Sequence, residues 1–232
     1  MKKIPLVLVP GLLCDKQLWQ PQVENLADVA DIWIAEHTRS DTMSGVACDV
    51  LADAPFAAFA LAGLSMGGYI AFEIMRQAPQ RVSKLALLDT AAGADLPEQT
   101  QRRMDFISLA ERGKFLGITD VLLPLLLHPS RLCERALTGV VKSMAKNIGK
   151  EAFVRQQRAI MSRADSRVLL GAIDCPTLVL CGRQDALTPL ARHEEIAAGI
   201  NDSRLEIIED CGHLSTLERP VQVNAALRSW LA

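Results

Sequence analysis

"ALAGLSMGGYIAFEIMRQAP", residues 60–79, joins an apolar run to helix-like text through Gly63-Leu64-Ser65-Met66-Gly67. A serine at the corner between a strand and a helix sits on a strained backbone, and the residues two before and two after it must be small to avoid collision. Gly63 and Gly67 meet that need. After the corner, Ile70, Ile74 and Met75 recur on one helical face, and Pro79 ends the helix because it cannot continue the bonding pattern.

Working outward, apolar runs of strand length alternate with helical segments, the pattern of a parallel sheet covered on both faces. Strands are predicted at 4–9, 31–36, 56–63, 84–89, 176–182 and 204–209. Helices are predicted near 15–27 and at 44–54, 66–78, 189–200 and 220–231. From about 91 to 173 no strand is legible, only amphipathic helical text such as "QRRMDFISLAERGKFLG". A stretch that long reads as a helical insertion between consecutive strands, not as a loop. The expected organisation is a core of residues 1–92 and 172–232 with a cap at 93–171.

Composition removes several function classes. In 232 residues, 25 basic and 27 acidic side chains are spread without a polybasic stretch, so neither nucleic acid nor an anionic membrane surface is an expected partner. The N-terminal "MKKIPLVLVPGLLC" is interrupted by Pro5, Pro10 and Gly11 and reads as a first strand, with a signal peptide as the lesser alternative. No run approaches the ~18 apolar residues of a membrane span. The six cysteines form no CxxC pair, and Cys211 and His213 lack companions at zinc spacing, so free thiols in a cytoplasmic protein without metal or organic cofactor are expected.

A serine hydroxyl needs a general base and an orienting acid to act as a nucleophile. "CGRQDALTP" places Asp185 after the fifth strand, and "EDCGHLSTLERP" places His213 after the sixth. Side chains leaving the carboxyl ends of neighbouring parallel strands converge at one sheet edge. Asp174, Asp89 and Asp210 are alternative acids. Of the other histidines, His37 follows the second strand, His128 falls in the insertion where it could face a substrate, and His193 lies in "RHEE", which reads as solvated surface. An oxyanion formed by attack of Ser65 needs backbone N–H donors; Met66, at the helix start, and Leu12, in the turn after the first strand, are the candidates.

With "GLSMGG", "GRQDALTP" and "CGHLSTLERP" together, nearly the whole chain resembles the α/β-hydrolase-fold serine hydrolases, of the small bacterial carboxylesterase, enol-lactonase and cofactor-free perhydrolase kind. The resemblance implies a Ser65–His213–Asp185 triad, an oxyanion hole from Leu12 and Met66, and a small-molecule ester or related acyl substrate. Perhydrolase or haloperoxidase-like chemistry, carbon–carbon bond hydrolysis and a ligand receptor with little turnover remain alternatives on the same scaffold. Two departures stand out. Pro10-Gly11 replaces the usual His-Gly, and the two strands that usually precede this turn are missing, so a six-stranded sheet is expected with the second strand outermost and the first beside it and the third. Within the insertion, Phe106, Leu109, Phe115, Leu122, Leu123, Leu126 and Leu127 are candidate pocket walls, and no Arg or Lys is assignable to a substrate carboxylate.

Overall fold

A computed structural model describes residues 3–232; Lys2, one of the two lysines before the first apolar run, lies outside them. The chain forms six strands among these residues: β1 (Ile4–Val9), β2 (Ala30–Ile34), β3 (Phe59–Leu64), β4 (Val82–Leu88), β5 (Thr177–Gly182) and β6 (Ser203–Ile208). They pair in parallel in the order β2-β1-β3-β4-β5-β6. The expected truncated sheet, with β2 outermost, is what the chain builds.

Alternation along each strand divides the core in two. Leu6, Leu8, Ala60, Ala62, Leu64 and Leu88 point to one face, where α1 (Gln20–Leu26) and α8 (Pro220–Leu231) cover them with Leu26, Leu227 and Trp230. Val7, Val9, Leu61, Leu85, Leu87 and Val179 point to the other, beneath α2 (Met43–Asp53), α3 (Met66–Gln77) and α7 (Leu190–Gly199). Every residue of β3 and β5 is buried, which is why both read as unbroken apolar runs. β3 begins at Phe59, three residues later than its apolar text does. Arg81 donates to the carbonyls of Leu51, Phe56 and Ala57, holding residues 56–58 in a turn.

Between β4 and β5 the chain is helical: α4 (Pro97–Leu109), α5 (Phe115–Leu126) and α6 (Arg135–Met161). Gly113 (φ 79°) turns α4 into α5, and Gly149 (φ 77°) breaks α6. Phe115, Ile118, Leu122, Ala145 and Phe153 cluster with Leu13 from the loop after β1, so the insertion sits over the carboxyl end of the sheet.

The β3–α3 corner explains its glycines. A Cβ on Gly63 would lie 2.2 Å from the Gly67 carbonyl oxygen, and one on Gly67 would lie 2.1 Å from that of Val9. Both obstacles are backbone, so neither can swing aside. Gly67→Ala is therefore expected to cost about 3 kcal/mol, an overpacking penalty at the upper end of the usual range. In a thermal melt the Tm should fall by roughly 6–12 °C; an unchanged Tm would show that the corner has slack the contacts do not suggest.

Candidate active site

Ser65 occupies the corner with φ 56° and ψ −115°, a conformation that a side-chain-bearing residue adopts only under constraint. The constraint is visible: the Ser65 N–H donates to the Leu88 carbonyl, and the Thr90 hydroxyl donates to the Ser65 carbonyl. The end of β4 and the chain just after it thereby hold both backbone polar groups of the serine, and Ser65 lines a cavity.

His213 and Asp185 converge on it. Ser65 Oγ lies 2.8 Å from His213 Nε2, and His213 Nδ1 lies 2.8 Å from Asp185 Oδ2. The Asp185 carboxylate is fully engaged, since Oδ1 accepts from the Leu187 and Thr188 N–H groups and Oδ2 accepts from the Thr188 hydroxyl at 2.6 Å. Burial pushes this carboxyl up, but the charge of His213 and the hydrogen bonds from His213 and Thr188 outweigh it and hold it below the ordinary carboxylate range. Burial likewise disfavours a charged His213, and the Asp185 charge and hydrogen bond overcome it, leaving the imidazole above its ordinary value. The pair is thus built to hold a proton on the histidine.

The alternative acids do other work. Asp89 is buried at the end of β4, where it accepts from the Gly182 N–H and pairs with the Ser215 hydroxyl. Burial, reinforced by the Asp185 charge, pushes it well above the ordinary carboxylate range. Asp174 and Asp210 are exposed. His128 is half-buried with its ring against Ser130, away from the cavity wall. His193 corrects the surface reading of "RHEE": it is fully buried, its Nε2 accepts from the Thr90 N–H at 2.9 Å, and burial lowers it to about 4. The reason lies in β4. The chain leaving that strand needs an acceptor for the Thr90 N–H, and the inward face of α7 supplies it.

Leu12 and Met66 are both placed at the carboxyl edge. Met66 is the first residue of α3, whose N–H has no acceptor within its own helix. Leu12 lies in the Gly11–Cys14 turn, and among the described residues its N–H donates to nothing. The missing His-Gly histidine has a substitute from elsewhere in the chain. His37 Nε2 lies 3.0 Å from the Gly11 carbonyl oxygen and 3.0 Å from Gln156 Nε2, while Gln156 Oε1 accepts from the Leu13 N–H at 3.2 Å. Burial pushes the His37 imidazole below its ordinary value.

Above Ser65 the cavity has a volume of about 160 Å³, close to the ~150 Å³ that admits a benzene ring in an engineered protein cavity. Phe106, Leu122 and Leu126 line it. Leu109, Phe115, Leu123 and Leu127, which read equally well as wall residues, instead bind the insertion to itself and to the sheet.

A sequence model of the α/β hydrolase fold matches residues 46–220, three quarters of the chain. The chain belongs to the α/β hydrolase family. Among solved structures it is similar to a thermophilic esterase from Thermogutta terrifontis, with 31% identity, a TM-score of 0.91 and coverage of 99% of this chain and 90% of that one. Among characterised relatives it is 25% identical to a pimeloyl-[acyl-carrier protein] methyl ester esterase from Nitrosomonas europaea, over 94% of this chain and 91% of that protein. It is 28% identical to a 2-hydroxy-6-oxo-6-phenylhexa-2,4-dienoate hydrolase from Comamonas testosteroni over 71% of this chain, a match that spans 59% of that enzyme. This α/β hydrolase is thus an enzyme whose relatives are hydrolases.

In this α/β hydrolase the loop carrying His213 is anchored to the insertion. The His213 and Leu214 N–H groups both donate to the Leu126 carbonyl, and buried Glu218 accepts from the N–H groups of Gly212 and His128. Glu218 sits within "CGHLSTLERP", but its role could not be read there because its second partner lies 90 residues upstream. No helix among the described residues is long and apolar enough to cross a membrane.

Proposed function

We propose that the protein is a serine hydrolase that cleaves a carboxylic ester of a small molecule through an acyl-enzyme. The observation that carries this reading is the line from Ser65 Oγ through the His213 ring to Asp185 Oδ2, with both contacts at 2.8 Å, on a strained corner beneath a cavity. Ser65 Oγ attacks the ester carbonyl while its proton passes to His213 Nε2. Asp185 stabilises the imidazolium, and the N–H groups of Leu12 and Met66 receive the developing oxyanion. Collapse of the tetrahedral intermediate breaks the bond to the alcohol, which leaves with the His213 proton. Water, deprotonated by the same nitrogen, then releases the acid and restores Ser65. In this reading 93–171 acts as the cap over a core of 1–92 and 172–232, the enzyme works in the cytoplasm, and no metal or organic cofactor takes part.

Two of the similar proteins are named as esterases, which supports an ester over other acyl bonds. The dienoate hydrolase is named for a substrate without an ester and keeps carbon–carbon bond hydrolysis as the second reading on the same triad. A short p-nitrophenyl ester tests the nucleophile that both readings share, and turnover of an unactivated alkyl ester favours the first. The purified protein should release a burst of p-nitrophenol approaching one per chain, and a fluorophosphonate probe should leave its adduct on the peptide containing Ser65. Absence of both adduct and turnover overturns the proposal.

A further inference from the structure

The cavity wall carries a feature that the triad does not use. Among the described residues five arginines line it, Arg102, Arg103, Arg163, Arg167 and Arg192, and no Asp or Glu does. They arrive from separate stretches: α4, the chain just after α6, the short turn at Arg167–Ala172, and α7. A solvated charge run would come from one element; this set is assembled by the fold.

The carboxylates that partner these arginines stand behind the wall. Asp95, whose side chain is 3% exposed, pairs with Arg103 and Arg163 at 2.7 Å each. Arg103 also donates to Gln157, and Arg163 lies over the Tyr69 ring at 4.3 Å. Asp165 pairs with Arg167, and Glu195 stands 3.7 Å from both Arg167 and Arg192. Five cations thus face three anions, and the excess falls on two residues. Arg102 makes no ion pair or side-chain hydrogen bond among the described residues, and the contact of Arg192 is too long for a hydrogen bond. Both are exposed at the cavity wall.

A guanidinium offers a planar fork of donors that matches a carboxylate, and a cleft lined by one sign of charge concentrates the opposite sign. Leu122, Leu125, Leu126 and Val141 give the same cavity an apolar surface for a hydrocarbon chain. We propose that the enzyme selects esters that carry a second, free carboxylate, as in half-esters of dicarboxylic acids, and that Arg102 and Arg192 receive that carboxylate. This inference rests on the reading of Ser65 as the nucleophile of an ester hydrolase.

The test compares mono-p-nitrophenyl adipate with p-nitrophenyl hexanoate, which have acyl chains of equal length and differ in the terminal carboxylate. In the wild-type protein kcat/KM should favour the anionic ester by about tenfold or more, with the preference shrinking in 0.5 M NaCl as the charges are screened. In the Arg102→Gln/Arg192→Gln double variant the ratio should fall to within about threefold of one, and Arg102→Lys/Arg192→Lys should give an intermediate ratio, because charge is retained while the fork is lost. Each ratio is taken within one preparation, so a smaller folded fraction cancels. A wild-type ratio at or below one, with the neutral ester turned over and Ser65 labelled, overturns the inference and leaves the esterase reading standing. A high ratio untouched in the glutamine variant removes the assignment to Arg102 and Arg192. If neither ester is turned over and Ser65 takes no fluorophosphonate, the nucleophile reading fails and the inference with it.

Discussion

Ser65→Ala is expected to lower turnover of p-nitrophenyl esters by at least about 10⁴-fold, into the range left when a serine hydrolase loses its nucleophile and retains only its oxyanion donors and binding contacts. The substitution removes one atom whose hydrogen-bond partner is His213 Nε2. The bonds that hold the corner run from the Ser65 backbone, from its N–H to Leu88 and to its carbonyl from Thr90, and alanine keeps both. Alanine also bears the same positive φ of 56° as serine, so the strain at the corner is unchanged. The melt should accordingly stay within about 3 °C of wild type, a shift worth on the order of 1 kcal/mol in a chain of this size. Loss of activity without loss of fold separates a chemical role from a structural one. Retained turnover in a clean preparation would mean that another group attacks the ester.

The features legible in the sequence are those that local chemistry dictates. The strands β3 and β5 are buried on both faces and so appear as continuous apolar runs. Gly63 and Gly67 appear as small residues around Ser65 because backbone carbonyls stand where their Cβ atoms would be. Asp185 and His213 stand out as candidates because each follows a recognisable strand. The edge position of β2, by contrast, was an expectation of the family resemblance and not of any local pattern.

What stayed hidden depends on contacts between distant segments. "RHEE" looks solvated in isolation, and His193 is buried only because α7 turns that position toward the unpaired Thr90 N–H. His37 and Gln156 are 119 positions apart, yet together they brace the loop that holds Leu12. The arginines of the cavity wall are scattered among 25 basic residues, and nothing local marks them as convergent. Leu122 lines the cavity while Leu123 beside it faces the main core, a difference set by the orientation of α5 over the sheet. Periodicity identifies an amphipathic helix, but not which neighbour receives its apolar face.

Asp185→Asn should reduce kcat by about 10³- to 10⁴-fold through the proton on the histidine rather than through its position. Asp185 Oδ1 accepts from the Leu187 and Thr188 N–H groups, and the asparagine carbonyl oxygen can continue to do so. That fixes the amide –NH₂ at the place of Oδ2, 2.8 Å from His213 Nδ1. An amide nitrogen donates, so Nδ1 must accept and the ring proton moves to Nε2, facing Ser65 Oγ. A protonated Nε2 cannot take the serine proton. The pH profile gives a readout that a merely structural loss would not move. In the wild type the active form is neutral His213, and the Asp185 charge holds the imidazole above its ordinary 6.5, so activity should fall as the pH drops through an apparent pKa above that value. In the variant the raising charge is gone and burial, which disfavours the imidazolium, remains. The acid limb of the residual activity should therefore shift to lower pH. If the limb stays in place while kcat falls, Asp185 holds the loop and does not set the protonation of His213; if kcat is unchanged, another group orients the base.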